Sequence, residues 1–230
     1  MHVLFLLLPS LSNALFGYSQ MTTFRGHSFH IQGSGDAPFN TSVQELYYAN
    51  ALTDHNAPTS QKTFWKQRYF LNDEFYGGKD FPIFLYIGGE GPLTSGVLSE
   101  RNYIYTAART HRALLVAVEH RFYGRSYPTV DMSTDNLRLL SSEQALADLA
   151  RFHSFLTTQL NLEGHPWVAF GGSYPGALAA WFKLKYPSLV VGSIASSAPI
   201  LAQEDFREYV EVVGNSLRYF GGGIKLLFFN

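Results

Sequence analysis

Phe170-Gly171-Gly172-Ser173-Tyr174-Pro175-Gly176 lies between an apolar run, Pro166-Trp167-Val168-Ala169-Phe170, and a helical pattern from Ala177 to Tyr186 that Pro187 stops. A serine on such a strand-to-helix turn holds its hydroxyl above the sheet, beside a helix N-terminus. Small neighbours let the turn close without Cβ clashes. Ser173 is therefore the candidate nucleophile, and the N–H of Tyr174 is a candidate oxyanion donor. The plainer alternative is a glycine-rich turn in which Ser173 only caps the helix. A Gly-x-Ser pattern alone does not separate the two; the strand–turn–helix setting favours the nucleophile.

Working outward, the chain alternates. Phe64 to Leu71 reads as a strand, followed by turn chemistry at Asn72-Asp73 and Gly77-Gly78. Pro82-Ile83-Phe84-Leu85-Tyr86-Ile87 and Ala113-Leu114-Leu115-Val116-Ala117-Val118 are continuous apolar runs, with a helix-like stretch from Ser99 to Thr110 between them. Ser141 to Leu160 predicts an amphipathic helix. Ser141 with Gln144 fits a capping box, and Leu146, Leu149, Phe152, Leu156 and Leu160 recur at helical spacing. Leu189 to Ile194 reads as a last strand. Apolar rather than alternating strands, interleaved with helices, point to a mostly parallel, doubly wound α/β sheet covered on both faces.

Two further clusters end strands. Gly88-Gly89-Glu90-Gly91-Pro92 follows the first apolar run. In α/β-hydrolases a glycine-rich loop at this place gives the second oxyanion donor, which makes Gly89 the candidate; the alternative is a plain turn. No Lys-Ser/Thr follows these glycines and no dinucleotide spacing fits, so nucleotide binding is rejected. Glu119-His120-Arg121-Phe122-Tyr123-Gly124 follows the second run. Titratable groups at a strand end are costly to bury unless paired. Glu119, His120, Arg121 and Tyr123 are thus either a catalytic cluster or, the favoured reading, a buried network that scaffolds the site.

Composition narrows the class. Of 230 residues, 46% are hydrophobic and 16% aromatic, which predicts a packed domain rather than disorder. A net charge of −1 without a basic stripe argues against nucleic acid. With no cysteine, thiolate metal sites, disulfides and cysteine nucleophiles are excluded for this chain. The eight histidines show no metal-ligand spacing, so neither a metal nor a cofactor is expected. Val3 to Leu8 followed by Ser12-Asn13-Ala14 fits a signal peptide over 1–14, too short to span a bilayer. Asn40-Thr41-Ser42 is a glycosylation acceptor pattern.

Taken together these motifs resemble the prolyl-type serine peptidases: lysosomal Pro-Xaa carboxypeptidase, the related lysosomal dipeptidyl peptidase and thymus-specific serine protease. The matching stretches are Thr63 to Phe70, Gly88 to Gly91, Glu119 to Gly124, Leu140 to Asp148, Gly171 to Tyr174 and Ala195-Ser196-Ser197-Ala198-Pro199. The resemblance implies an α/β-hydrolase fold with an inserted helical domain. It implies cleavage of peptides near a terminus, often beside proline, in a lysosomal, endosomal or extracellular setting. It also carries the nucleophile role to Ser173 and an oxyanion role to Tyr174.

Two departures accompany it. Pro175 stands where many members have glycine, and it biases Tyr174 away from the helical region. The triad order in this fold is serine, acid, histidine, yet no histidine follows His165. The triad Asp and His are accordingly not expected in this chain. The expected organisation is a signal peptide (1–14), a linker or propeptide-like lead-in (15–62), the N-terminal part of the peptidase domain (63–220) and an atypical tail (221–230), truncated before the helical insertion and last strands. The competing readings are an esterase or lipase on the same fold, or a non-catalytic secreted protein.

Overall fold

The structure, a computed structural model, describes residues 22–24, 27–29 and 43–220. The expected signal peptide, Asn40 and the tail 221–230 lie outside the described residues. Two units are distinguished, 1–198 and 199–230. In the first, β1 (Thr22–Phe24) and β2 (His27–Phe29) form an antiparallel pair.

A six-stranded mixed sheet carries the rest of that unit. Its strands are β3 (Val43–Leu52), β4 (Phe64–Asn72), β5 (Ile83–Ile87), β6 (Leu114–Val118), β7 (Trp167–Gly172) and β8 (Gly192–Ser196), in the order β3-β4-β6-β5-β7-β8. β4 pairs antiparallel with both β3 and β6; the pairs β6–β5, β5–β7 and β7–β8 are parallel. Crossovers through α1 (Tyr103–His111), the short α2 (Thr134–Leu137) with α3 (Ser142–Leu160), and α4 (Tyr174–Lys185) connect the parallel strands. This is the strand order and crossover pattern of an α/β-hydrolase fold. The unit 199–230 contributes α5 (Arg207–Phe220).

The central strands are apolar on both sides because both sides are covered. Leu114, Val116 and Val118 of β6 face a core built with Leu146, Leu149, Phe152 and Leu156 of α3 and Leu178 and Phe182 of α4. Leu115 and Ala117 of the same strand face a second core with Leu98 and with Ile104 and Ala108 of α1. Every side chain of β6 is essentially sealed from solvent. At roughly 25 cal/mol per Å² of apolar surface, such burial is the main source of stability.

Several boundaries fall differently from expectation. The sheet begins at Val43, twenty residues before the expected start at Thr63. β3 is ten residues long and pairs with β4 through a bulge between Tyr48 and Ala51. α1 starts at Tyr103 because Asn102, not Ser99, caps it, accepting from the N–H of Ile104. α4 starts at Tyr174 rather than Ala177. Proline is tolerated in a first turn, where its missing N–H has no partner to lose. Pro175 therefore does not hold Tyr174 out of the helix. β8 starts at Gly192: Val190 is packed into the core ahead of it, and the N–H of Val191 bonds to the carbonyl of Trp167. Only half of the capping box forms. Ser141 Oγ accepts from the N–H of Gln144, but the Gln144 side chain donates instead to Asp54 Oδ1.

Candidate active site

The parallel strands run towards one sheet edge, where β5, β6 and β7 are followed by Gly88, Glu119 and Ser173 respectively. Ser173 follows β7 directly. Its backbone is at φ 60°, ψ −131°, a region that non-glycine residues rarely adopt. Holding a serine there costs about 1–3 kcal/mol, which the surroundings must over-determine. One restraint is visible: the N–H of Ser173 donates to the carbonyl of Ser196 at the end of β8, at 2.9 Å. The Ser173 side chain is exposed and makes no capping hydrogen bond to α4. The turn is thus not an ordinary serine-capped helix start.

The flanking glycines are not equivalent. A Cβ on Gly171 would collide with the backbone carbonyl of Pro175, whereas one on Gly172 would meet nothing within 4 Å. A Cβ on Gly89 would lie 2.5 Å from Pro175 Cγ. The glycine loop after β5 therefore packs directly against the turn that carries Ser173, with Gly88 held by a bond from its N–H to the carbonyl of Val118.

Glu119, His120, Arg121 and Tyr123, adjacent in sequence, go to separate neighbourhoods. Glu119, fully buried, accepts from the Arg68 guanidinium, from the N–H groups of Leu93 and Arg125 and from Ser126 Oγ. Gly124, at φ 59°, has to be glycine here, since a Cβ would overlap the Glu119 carboxylate. Arg121, also fully buried, forms a two-pronged pair with Asp148 (Nε–Oδ2 2.6 Å, Nη2–Oδ1 2.7 Å). Its remaining donors reach the carbonyls of Leu52, Thr53 and Leu139 and Gln144 Oε1. Asp148 also meets His55 Nε2 at 2.7 Å.

His120 alone of the four hydrogen-bonds to the Ser173 turn. Its Nδ1 lies 2.8 Å from the carbonyl of Arg121, which can only accept, so Nδ1 carries the proton. Nε2 is then an acceptor, 3.0 Å from the Tyr174 hydroxyl. Burial lowers the His120 pKa below its ordinary value, which keeps the ring neutral at pH 7. Burial likewise raises the Tyr174 phenol. Nε2 is committed to Tyr174, and among the described residues none hydrogen-bonds the Ser173 hydroxyl. Tyr123 rests its ring against His120, centroids 5.3 Å apart, and its N–H donates to the His120 carbonyl.

Arg68, Ser142, Asp148 and Ser196 stand inside the matching stretches, but sequence reasoning gave none of them a role. Asp148 carried a readable signal: it is a carboxylate inside the apolar stripe of α3, between Ala145 and Leu149. Ser196 acts through its carbonyl, which no side-chain pattern announces. Among the described residues no group of three or more metal-ligating side chains converges, and no helix is long and apolar enough to cross a membrane.

The profile of the family Serine carboxypeptidase S28 matches residues 51–224. The chain is 45% identical over 195 residues to human (Homo sapiens) thymus-specific serine protease, covering 84% of this chain and 38% of that protein. It is 43% identical over 171 residues to the mouse (Mus musculus) protein of that name, covering 73% and 33%. It is 40% identical over 164 residues to human lysosomal Pro-X carboxypeptidase, covering 70% and 33%. The chain thus spans between a third and about two fifths of the length of these relatives. A family match over three quarters of the residues, with the serine on a strained strand-to-helix turn, makes this chain a member of the serine carboxypeptidase S28 family.

Proposed function

We propose that the chain carries the nucleophile half of a serine peptidase site that cleaves peptides near a terminus, beside proline, through an acyl-enzyme on Ser173. The observation that carries the proposal is the backbone of Ser173: a non-glycine residue at φ 60° whose hydroxyl is exposed and spent on no helix cap. Strain of that kind persists where function requires it. The Tyr174 N–H and the glycine loop at Gly89 are the oxyanion donors, Tyr174 at the mouth of α4 and Gly89 against Pro175. Glu119, Arg121 and their partners hold the strand ends rigid beneath them. The preference for proline and a place in the secretory or lysosomal pathway come from the relatives. The substrate is a peptide, with no nucleic acid, cofactor or metal in the reaction.

A serine hydroxyl is a weak nucleophile at neutral pH and needs a hydrogen-bonded base. His120 is engaged elsewhere, and no histidine lies between Ser173 and Asn230. The 230-residue chain alone is accordingly expected to be inactive. The test supplies the base from solution. Matched ester, prolyl-peptide and non-prolyl-peptide substrates are offered with and without added imidazole. Imidazole-dependent cleavage that favours the prolyl peptide supports the proposal. Cleavage of the ester alone would replace it with an esterase.

A further inference from the structure

Tyr174 is the residue whose N–H stands next to the reacting centre in the reading above, and its side chain is unusually well tied. The hydroxyl lies 3.0 Å from His120 Nε2 and 3.1 Å from Ser142 Oγ. Because Nε2 is the acceptor, the phenol donates to His120 and accepts from Ser142. The ring also packs on the imidazole, centroids 5.5 Å apart. His120 is anchored at its other nitrogen by the Arg121 carbonyl, and Arg121 is itself locked to Asp148 of α3. Ser142 is the first residue of α3. One phenol therefore joins three elements: the end of β6, the start of α3 and the start of α4.

The serine turn itself is held by the Ser173 N–H bond to Ser196 on one side and by contact between Pro175 and Gly89 on the other. Neither restraint acts on Tyr174 directly. A free helix-start N–H is useful as an oxyanion donor only if its direction is set before the reaction, within about 10–20° of the productive geometry.

We propose that His120 and Ser142 are positioning residues that act through the Tyr174 phenol to aim the Tyr174 N–H at the oxyanion formed on Ser173. The inference rests on Ser173 being the nucleophile. His120 then has a part in the reaction without exchanging a proton with the substrate. Tyrosine after the nucleophile is there for its hydroxyl as well as its ring.

The test is phosphonylation of Ser173 by a fluorophosphonate in the presence of imidazole, followed by intact mass, with the inactivation rate constant and the reagent's apparent affinity measured separately. Ser173 Oγ displaces fluoride from phosphorus, its proton passing to imidazole, and in the transition state negative charge builds on the phosphoryl oxygen where the oxyanion would sit. Tyr174→Phe keeps the ring and removes the hydroxyl; His120→Ala removes its acceptor; His120→Gln restores a polar atom near Nε2. The expected result is a rate constant about tenfold lower in Tyr174→Phe and His120→Ala, with unchanged apparent affinity. His120→Gln should recover to within about threefold of wild type. A folding defect would lower the labelled fraction in step with the melting temperature. Ser142→Ala serves as an independent probe should His120→Ala fold poorly. Equal rate constants in wild type and Tyr174→Phe would overturn the positioning role alone. No Ser173 labelling in wild type at any imidazole concentration would overturn the nucleophile assignment, and this inference with it.

Discussion

Gly171 and Gly172 precede the same serine, yet only one of them is constrained by space. Gly171→Ala would drive a methyl group into the Pro175 carbonyl, backbone that cannot swing aside. It should destabilise the chain by about 3 kcal/mol or more, at the upper end of overpacking costs. Gly172→Ala meets open space and should stay within about 1 kcal/mol. Equilibrium urea denaturation of the two variants checks the contrast; equal losses would mean that the turn is not built as described. The same reasoning couples Gly89 to Pro175. Gly89→Ala should cost about 1–3 kcal/mol through its contact with the proline ring, and Pro175→Gly should relieve most of it. A double-mutant cycle with a coupling energy below about 0.5 kcal/mol would contradict that contact.

The elements are held by two buried ion pairs beneath the site, and their worth depends on burial. Asp148→Asn leaves Arg121 fully buried with no carboxylate partner, which should cost about 3–5 kcal/mol. Arg125 pairs with Glu45 at the surface, and Arg125→Ala should change stability by less than about 1 kcal/mol. Similar losses from the two would contradict the burial on which the argument rests. These pairs also mark the limit of what sequence shows. The five strands from 64 onward and the order of helices between them were legible, since apolar runs and a 3.6-residue period are local properties. β3 was not: Val43 to Leu52 contains Gln44, Glu45, Gln67-facing Tyr48 and Asn50, and it is a strand because β4 offers it an edge. Ser173 and Tyr174 were singled out from a turn motif and Gly89 from a glycine-rich loop, and the structure packs that loop against that turn. The engagement of His120 with Tyr174, fifty-four positions away, was not, because hydrogen bonds across elements leave no periodic trace.

For the whole molecule, the buried imidazoles make stability depend on pH. Burial lowers the pKa of both His120 and His153 below 6.5. The unfolded chain therefore binds more protons than the folded one as pH falls through 6.5. Their contribution is complete above about pH 6.5 and is lost on acidification towards the lowered folded values. For His120 the loss has a limiting slope of about 1.4 kcal/mol per pH unit. Denaturation midpoints at pH 7.5, 6.0 and 5.0 should fall in that order, and His120→Gln should flatten the trend. Stability rising between pH 7.5 and 5.0 would show that these rings are not held neutral.

On the function proposed above, Ser173 is a nucleophile presented on a strained turn and lacks only a base among the described residues. The most direct measurement is the rate at which a fluorophosphonate modifies the folded, monomeric 230-residue protein, read by intact mass, for wild type and Ser173→Ala with and without imidazole. Negligible labelling of wild type in buffer is expected, with labelling of one site that rises with imidazole concentration and none in Ser173→Ala under any condition. Labelling that persists in Ser173→Ala would contradict the assignment of the nucleophile. Rapid Ser173-dependent labelling without imidazole would show that a base already resides in this chain.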